Sequence, residues 1–280
     1  MGSLFRVFQA RGGRFDLALL VTIAVFAGCT TGFEDPAFQQ AQSAKLSSEV
    51  QAVSGTNTGR GRLFYIGLAL FSQKWSENDV VDLATVLRRV SDYDVVSLIA
   101  SNAIPSLPET YPIADDSAIE ALVRTAADAA KDSDLIFVYI STHGTKGALT
   151  RKSGVFPEQS LSANGLAEPL QPLVGHRTVI FLSACYSGSL LDQLKSEDRI
   201  VVTAARLDRP SFGCKPAAQH TYFGEAVLRS FGHRERSLKQ IVPDIMVDVA
   251  AQERANRNMA SEPQVFVGQR MTRFYTEPVF

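Results

Sequence analysis

The sequence predicts an α/β fold of three layers, α/β/α, with a mostly parallel central sheet. Five short runs are apolar on both faces and rich in β-branched and aromatic residues, as strands buried in a parallel sheet are. Segments with helical periodicity alternate with these runs, which is typical of an open sheet with right-handed crossovers. The five predicted strands are Leu63–Phe71, Asp94–Ile99, Leu135–Ile140, Thr178–Leu182 and Ile200–Thr203.

Helical patterns fill the segments between these strands. Ser76 and Asp79 form a capping-box pattern ahead of apolar positions that recur with a period of about 3.6 residues. Pro243 falls inside the last and longest helical pattern and is expected to bend it. The remaining helices, followed by a final edge strand, are predicted over Ser117–Lys131, Ser162–Leu173, Thr221–Phe231, Ser237–Asn258 and Gln264–Val267.

Composition restricts the class of function. The chain has 280 residues, of which 45% are hydrophobic, so it can bury a sizeable core. Lys and Arg number 28 against 29 Asp and Glu, and this balance argues against a nucleic-acid partner. Three cysteines, Cys29, Cys185 and Cys214, do not predict a disulfide framework. Cys and His show no metal-ligand spacing, and no glycine-rich phosphate loop occurs, so no metal or cofactor is expected.

The N-terminus has the pattern of a secretory signal. Arg6, Arg11 and Arg14 precede an apolar run, Leu17–Ala27, that is too short to span a bilayer as a helix. The run ends in small residues before Cys29. Residues 1–28 are therefore predicted to be a signal peptide.

The end of this segment, Phe26–Cys29, resembles a bacterial lipobox. The resemblance implies lipidation of Cys29, which would then attach the protein to a membrane. Thr30 in the next position implies the outer membrane, so the expected location is the bacterial cell envelope, on the periplasmic face of the outer membrane. A signal peptide cleaved elsewhere, or an uncleaved anchor, remains an alternative.

Residues 29–61 are predicted to be a flexible tether between the lipid and a single domain over residues 62–280. The segment is rich in Ser, Thr, Gln, Ala and Gly and shows no strong period. It allows one short helix, from about Pro36 to Val50.

Ligands bind beyond the carboxyl ends of the strands in open α/β sheets, which locates the candidate site. The third, fourth and fifth predicted strands lead into the polar segments 141–144, 183–188 and 204–208. If the third and fourth strands are neighbours, about 4.8 Å apart, His143 and Cys185 lie within one side-chain length of each other.

This pair predicts thiol catalysis. An imidazole can take the proton of a thiol, and the thiolate is the nucleophile. Gly144 allows the backbone to approach a bound carbonyl, so the amides of Gly144 and Cys185 are expected to form an oxyanion hole. A buried cysteine is more often a packing residue and a single histidine more often structural, so the prediction depends on the two occurring together.

Other side chains are weaker candidates for the same chemistry. His220 follows the fifth strand and is a second candidate base, while Ser187 is an alternative nucleophile that lacks a G-x-S-x-G elbow. His176 precedes the fourth strand and is expected at the opposite rim, and His233 is predicted at a helix end.

At these residues the chain resembles the caspase–legumain group of cysteine peptidases, and within it the bacterial branch of the legumain family, C13. The resemblance is carried by His143-Gly144 after one strand and by Ala184-Cys185-Tyr186-Ser187-Gly188 after another. It continues through the stretch 203–214 and then 220–225 and covers roughly residues 62–270.

The resemblance implies a caspase-like fold and endopeptidase activity without a cofactor, with His143 as general base and acid and Cys185 as nucleophile. It also implies that the loop after the fifth strand shapes the S1 pocket, with Ala205, Asp208 and Ser211 as candidate substrate-binding residues. Asp208 would favour a basic or amide P1 side chain, although Arg206 and Arg209 lie beside it. Cys214 is interpreted as a structural thiol beneath this loop.

The expected function is therefore that of a lipid-anchored envelope cysteine endopeptidase, which hydrolyses peptide bonds through a thioester acyl-enzyme. Its substrate is a peptide or protein. A transpeptidase or transamidase on the same fold is one alternative, and a catalytically silent binding module is the other.

Overall fold

The computed structural model describes residues 36–51, 61–103, 110–278 and 280. A six-stranded sheet has the order β2-β1-β3-β7-β8-β9, and a small three-stranded sheet has the order β4-β5-β6. All pairs of the large sheet are parallel except β8 and β9. The strands are β1 (Arg62–Ala69), β2 (Asp94–Ser101), β3 (Leu135–Ser141), β4 (Gly144–Thr145), β5 (Ala148–Arg151), β6 (Gln159–Ser162), β7 (Thr178–Ser183), β8 (Arg199–Thr203) and β9 (Gln264–Val267).

Helices connect these strands. The α-helices are α1 (Pro36–Gln51), α2 (Lys74–Val90), α3 (Asp116–Ala129), α4 (Ala163–Ala167), α5 (Leu191–Leu194), α6 (Tyr222–Ser230), α7 (Leu238–Ala255) and α8 (Thr272–Thr276). Short 3₁₀ turns cover Gln171–Leu173, Ser187–Leu190 and Gln269–Met271. Thr221 caps α6, and Ser237 with Gln240 forms a capping box at the start of α7.

The large sheet has helices on both faces, because its strands direct alternate side chains to opposite sides. On β1, Leu63 and Tyr65 join the core shared with α2, α6 and α7. Phe64 and Ile66 on the same strand join the core shared with α3. All four side chains are fully buried. The predicted three-layer architecture and the mostly parallel sheet are confirmed.

The predicted start of α2 is wrong. The helix begins at Lys74 with Gln73 at its N-cap, so Ser76 lies in the first turn and not at the cap. Ser76 is fully buried, and its hydroxyl donates to the backbone carbonyl of Ser141 at 2.6 Å. The Ser76 hydroxyl, which the local pattern assigned to a helix cap, thus bonds a residue 65 positions away in the chain.

The predicted helix over Ser162–Leu173 is shorter than expected. Ser162 does cap it, accepting a hydrogen bond from the Gly165 amide, but α4 ends at Ala167 and is followed by a 3₁₀ turn. Pro169 and Pro172 lack the amide donors that a continuous helix requires. The sheet of β4, β5 and β6 is absent from the prediction, because its strands are too short to show a period.

The helix α1 confirms the short helix that the sequence allowed within the predicted tether. The Gln42 side chain accepts a hydrogen bond from the Ile113 amide at 2.7 Å, and Leu46 packs against the core on the α3 side of the sheet. The Glu49 carboxylate accepts a hydrogen bond from the backbone of Ile99, on the edge strand β2. The signal segment and Cys29 lie outside the described residues. Within those residues, no helix is both long enough and apolar enough to cross a bilayer.

Candidate active site

The site lies at the carboxyl ends of β3 and β7. These strands are parallel neighbours, and their last paired residues are Ser141 and Ser183. The Thr142 amide continues the pairing by donating to the Ser183 carbonyl at 3.0 Å. His143 and Cys185 each stand two residues beyond the last pair, at equivalent positions on the rim. The structure thus makes the two strands neighbours, as the predicted dyad requires.

Gly144 approaches the backbone of Cys185 closely. A Cβ atom on Gly144 would lie 2.4 Å from the Cys185 carbonyl oxygen, a distance that no side chain tolerates. Thr150 donates to the His143 carbonyl at 2.9 Å, so the next pair along, Gly144 and Leu149, is a non-hydrogen-bonded pair. The Gly144 amide therefore points away from β5. Among the described residues, no backbone carbonyl accepts from the Cys185 amide.

Two aromatic rings enclose the imidazole of His143. The Phe71 ring centroid lies 4.4 Å from that of the imidazole and the Trp75 centroid 5.2 Å, both in edge-on geometry. Burial against these rings lowers the pKa of His143 below its ordinary value, and the charge of Glu158 opposes this. At neutral pH the imidazole is accordingly neutral, the state in which it can accept a proton.

The Cys185 thiol faces the loop that follows β8. Its Sγ lies 3.3 Å from both the backbone nitrogen and the backbone oxygen of Ser211, and 3.7 Å from the Ser211 hydroxyl. In the described part of the chain, no hydrogen bond joins this thiol to His143. Catalytic hydrogen bonds are often long before substrate binds, so this resting geometry is compatible with a dyad.

A tight turn follows Cys185. Tyr186 has a left-handed backbone with φ of 55°, and its amide donates to the Arg209 carbonyl at 2.8 Å. The Gly188 amide donates to the Ala205 carbonyl at 2.9 Å. Ser187 is fully buried, and its hydroxyl accepts a hydrogen bond from the Ala205 amide at 3.1 Å. Ser187 therefore joins the turn to the loop after β8, and its burial argues against it as a nucleophile.

The three predicted substrate-binding residues have different surroundings. Ser211 contacts the thiol, as described above, whereas Ala205 is fully buried and presents no surface to a substrate. The Asp208 carboxylate pairs with Arg206 at 2.6 Å, and this pairing lowers the pKa of Asp208. Arg206 also pairs with Glu262, which lies 3.6 Å from Arg209. The charge of Asp208 is thus balanced by Arg206, one of the two arginines noted beside it in the sequence, whereas the contribution of Glu262 was not predicted.

Cys214 lies on the same loop and is half-buried. Burial raises the pKa of the Cys214 thiol, and the proximity of Cys185 raises it further. Both cysteines are free thiols. Because a raised pKa disfavours the thiolate, Cys214 is the less reactive type of thiol, as expected for a structural residue.

The second candidate base, His220, is held by two carboxylates. Its Nδ1 lies 3.1 Å from the Asp79 carboxylate, and its Nε2 lies 3.3 Å from that of Asp82. Interaction with Asp79 raises the pKa of His220. Both ring nitrogens of His220 are therefore engaged within the protein.

Asp79 is a component of the site that the sequence prediction missed. This carboxylate is fully buried beneath the rim and contacts Ser141, His220 and Thr221. The available signal was a pair of polar residues, Ser76 and Asp79, on the apolar face of a helix that continues with Val80.

Within the described residues, no group of three or more His, Cys, Asp or Glu side chains is placed to hold a metal ion.

Comparison with known proteins places this site in a family. The sequence profile of the peptidase C13 family matches residues 115–266, which include both His143 and Cys185. The chain belongs to the peptidase C13 family. The match begins at the N-cap of α3 and ends in β9, so it covers most of the strands that form the rim.

Individual relatives of this C13 chain include the legumains. Rat legumain is 31% identical over 98 residues, which are 33% of this chain and 21% of that protein. Human legumain is 30% identical over 98 residues, or 33% of this chain and 22% of that protein. The similarity therefore spans about a fifth of the length of each legumain.

Among solved structures, caspase-1 from Spodoptera frugiperda is similar to this C13 chain with a TM-score of 0.50. The two are 16% identical, and the match covers 76% of this chain and 88% of the caspase. At this identity the likeness concerns the fold alone. It confirms the predicted caspase-like arrangement of a mostly parallel sheet between helical layers.

Proposed function

We propose that this C13 chain is a cysteine endopeptidase that cleaves peptide or protein substrates through a thioester acyl-enzyme. One observation carries the proposal: His143 and Cys185 stand at equivalent positions beyond the paired ends of β3 and β7. Both lie at the carboxyl rim of the sheet, where ligands bind in open α/β folds. The match to the C13 profile over both residues supports the same reaction class.

In the first step the Cys185 sulfur attacks the scissile carbonyl, while His143 takes the thiol proton. The new C–S bond pushes the carbonyl electron pair onto oxygen, and this oxyanion lies near the Gly144 and Cys185 amides. His143 then gives its proton to the leaving amine as the C–N bond breaks. Water attacks the resulting thioester with His143 as base and releases the acid and the thiol.

The backbone around Gly144 supports this arrangement. Its amide points away from β5, and the absence of a side chain allows close contact with the Cys185 carbonyl. Two amides that are fixed by strand ends need no reorganisation when charge develops on the oxygen. The lowered pKa of His143 supports its role as the base, because a neutral imidazole accepts the thiol proton.

The decisive experiment is labelling by an acyloxymethyl-ketone probe across a panel of P1 side chains. We expect covalent labelling that disappears in Cys185→Ala and persists in Cys214→Ala. Labelling of Cys214 in place of Cys185 would overturn the proposed nucleophile. No labelling with any P1 residue would favour the catalytically silent binding module.

Transfer in place of hydrolysis is the second candidate, since the thioester can also react with an amine. Product analysis with added hydroxylamine separates the two reactions: we expect the carboxylic acid to dominate. A hydroxamate as the main product would favour a transpeptidase or transamidase.

We also propose that the protein is lipidated on Cys29 and held at the bacterial outer membrane. The support is the signal pattern: three arginines, an apolar run and the lipobox-like Phe26–Cys29. Cys29→Ala should move the protein from the membrane fraction to the soluble fraction and abolish incorporation of labelled palmitate. Retention of the label in this variant would contradict the assignment.

A further inference from the structure

A layer of buried polar side chains lies directly beneath the candidate dyad. The last residues of the two strands that lead to it, Ser141 and Ser183, are 0% and 1% exposed. Asp79 on α2 and Thr221 at the start of α6 are 1% and 4% exposed. The reaction described above uses none of these groups, yet a carboxylate is costly to bury.

The Asp79 carboxylate is fully engaged. Its Oδ2 accepts hydrogen bonds from the hydroxyls of Ser141, at 2.9 Å, and Thr221, at 2.8 Å. Its Oδ1 accepts from the Thr221 amide at 3.2 Å and lies 3.1 Å from Nδ1 of His220. Gly224 allows this approach, because a Cβ there would lie 2.1 Å from Oδ1. Four groups from three residues thus contact this carboxylate, two at each oxygen.

The other strand end is connected through Thr221. The hydroxyls of Ser183 and Thr221 lie 3.0 Å apart. Since the Thr221 hydroxyl donates to Asp79, the Ser183 hydroxyl donates to Thr221. The amide of Gly224 also donates to the Thr221 oxygen, at 2.8 Å. A continuous hydrogen-bonded chain thus joins the end of β3 to the end of β7.

We propose that Asp79 is a positioning residue for the dyad, holding the ends of β3 and β7 at matched heights through Ser141, Thr221 and Ser183. His143 and Cys185 each follow these anchored serines by two residues, so a shift of either serine moves a reactive group. Active-site groups must be held within about 0.5 Å of the productive geometry by supporting contacts. Ser76 assists from the preceding turn of α2, where its hydroxyl bonds the Ser141 carbonyl at 2.6 Å.

The geometry around Asp79 fits an ionised carboxylate, since Ser141 and Thr221 direct their donors at its oxygens. Burial nevertheless raises the pKa of Asp79 above its ordinary value, and the hydrogen bonds from His220, Thr221 and Ser141 limit this rise. The titratable groups that face the pair are Asp82 and Glu225 on the His220 side, and the buried Tyr65 and Tyr139 on the core side. A network of this kind is costly unless every member is satisfied, which makes it sensitive to a single lost acceptor.

The test compares Asp79→Asn with Asp82→Asn in the full chain. Both variants lose one negative charge beside His220, but only Asp79 bonds Ser141 and Thr221. The inference rests on the proposed function, so two readouts are needed: kcat and KM for a peptide substrate, and the rate of Cys185 alkylation by iodoacetamide. Mass spectrometry of the Cys185 peptide follows the alkylation, with the Cys214 peptide as an internal reference.

We expect Asp79→Asn to lower kcat about 100-fold with KM changed less than about threefold, because small displacements of reactive groups cost about this much. Cys185 alkylation at neutral pH should slow by about tenfold or more relative to Cys214, because the thiol loses its aligned base. Asp82→Asn should retain the wild-type values. Equal alkylation ratios in wild type and Asp79→Asn, well below the unfolding temperature, would overturn the positioning role.

A second pair of variants applies if Asp79→Asn does not fold. Thr221→Val keeps the shape of the side chain but removes the hydroxyl link, whereas Thr221→Ser keeps the link. We expect Thr221→Val to lose kcat and alkylation rate and Thr221→Ser to retain both. Equal values in the two variants would overturn the inference. A wild-type chain that cleaves no substrate would sink the proposed function alone, since the alkylation ratios would still test the positioning.

Discussion

The two halves of the rim differ in how their charged side chains are engaged. Beneath the dyad, the Asp79 carboxylate accepts buried hydrogen bonds from Ser141 and Thr221, and its side chain is 0% exposed. The loop after β8 is joined to the Cys185 turn through its backbone, but its charged side chains form exposed ion pairs: those of Arg206, Asp208 and Glu262 are 36%, 42% and 38% exposed. Breaking one partner of a buried charge network costs about 3–5 kcal/mol, whereas exposed ion pairs are screened and contribute little. Losing a charged side chain should therefore disturb the strand ends beneath the dyad more than the loop after β8.

This contrast has a chemical reason. Bond formation tolerates little displacement of a nucleophile or base, so the supporting shell has to be rigid. Recognition of a substrate side chain tolerates a larger displacement, so exposed ion pairs suffice for the charged side chains of the loop.

The largest effect is expected from removing the base. His143→Ala should lower kcat/KM by about 10³-fold or more, since loss of one member of a catalytic unit removes most of its effect. His233→Ala, in the segment between α6 and α7, should stay near the wild-type value. A double variant, His143→Ala with Cys185→Ala, should be no worse than Cys185→Ala alone. Additive losses would show that the two groups do not act as a unit.

A loss of about 10²-fold in kcat is expected from Gly144→Ala. The new Cβ would lie 2.4 Å from the Cys185 carbonyl and displace the amides assigned to the oxyanion. Gly147→Ala is the matched control, because no atom lies within 4 Å of its added Cβ although its φ is +79°. This control should lose about 1 kcal/mol of stability and keep its kcat. A Gly144→Ala enzyme with unchanged kcat would remove Gly144 from the proposed oxyanion hole.

A smaller effect is expected from Trp75→Leu, measured as a pH profile. Losing the ring opens His143 to water, so the pKa that burial lowers should rise towards the ordinary imidazole value. Because the base has to be unprotonated, the acid limb of kcat/KM should move to higher pH. At pH values above this limb, kcat/KM of Trp75→Leu should be less than about tenfold below that of the wild type. Trp75→Phe should restore the limb, and a shift to lower pH in Trp75→Leu would contradict the assigned cause.

The smallest effect is expected from Glu262→Gln, which breaks the ion pairs with Arg206 and Arg209. We expect KM to change about threefold or less and kcat to stay constant, because exposed pairs contribute little and are screened by salt. In 1 M salt the variant and the wild type should converge. A tenfold loss of kcat would contradict this contrast between the two halves of the rim, since it would mean that surface charges also position the reactive groups.

Features that follow from local sequence patterns could be predicted, whereas features that depend on contacts between residues far apart in the chain could not. The strands and the polar segments that follow them came from local patterns, and the placement of His143 and Cys185 required only that two strands be neighbours. The Asp79 network could not be foreseen, because its hydrogen bonds join residues 62 and 142 positions apart. For the same reason the partner of Arg206, 56 positions away, was missing from the interpretation of Asp208.

Helix α1 has a consequence for the far side of the molecule. It packs against β2, an edge strand of the large sheet, and the Glu49 carboxylate accepts a hydrogen bond from the backbone of Ile99. An uncovered outer strand offers free amides and carbonyls to any extended chain and promotes sheet-to-sheet association between molecules. We therefore expect α1 to protect this edge of the sheet against association between molecules. A chain shortened to begin at residue 61 should keep its fold but form oligomers as its concentration rises.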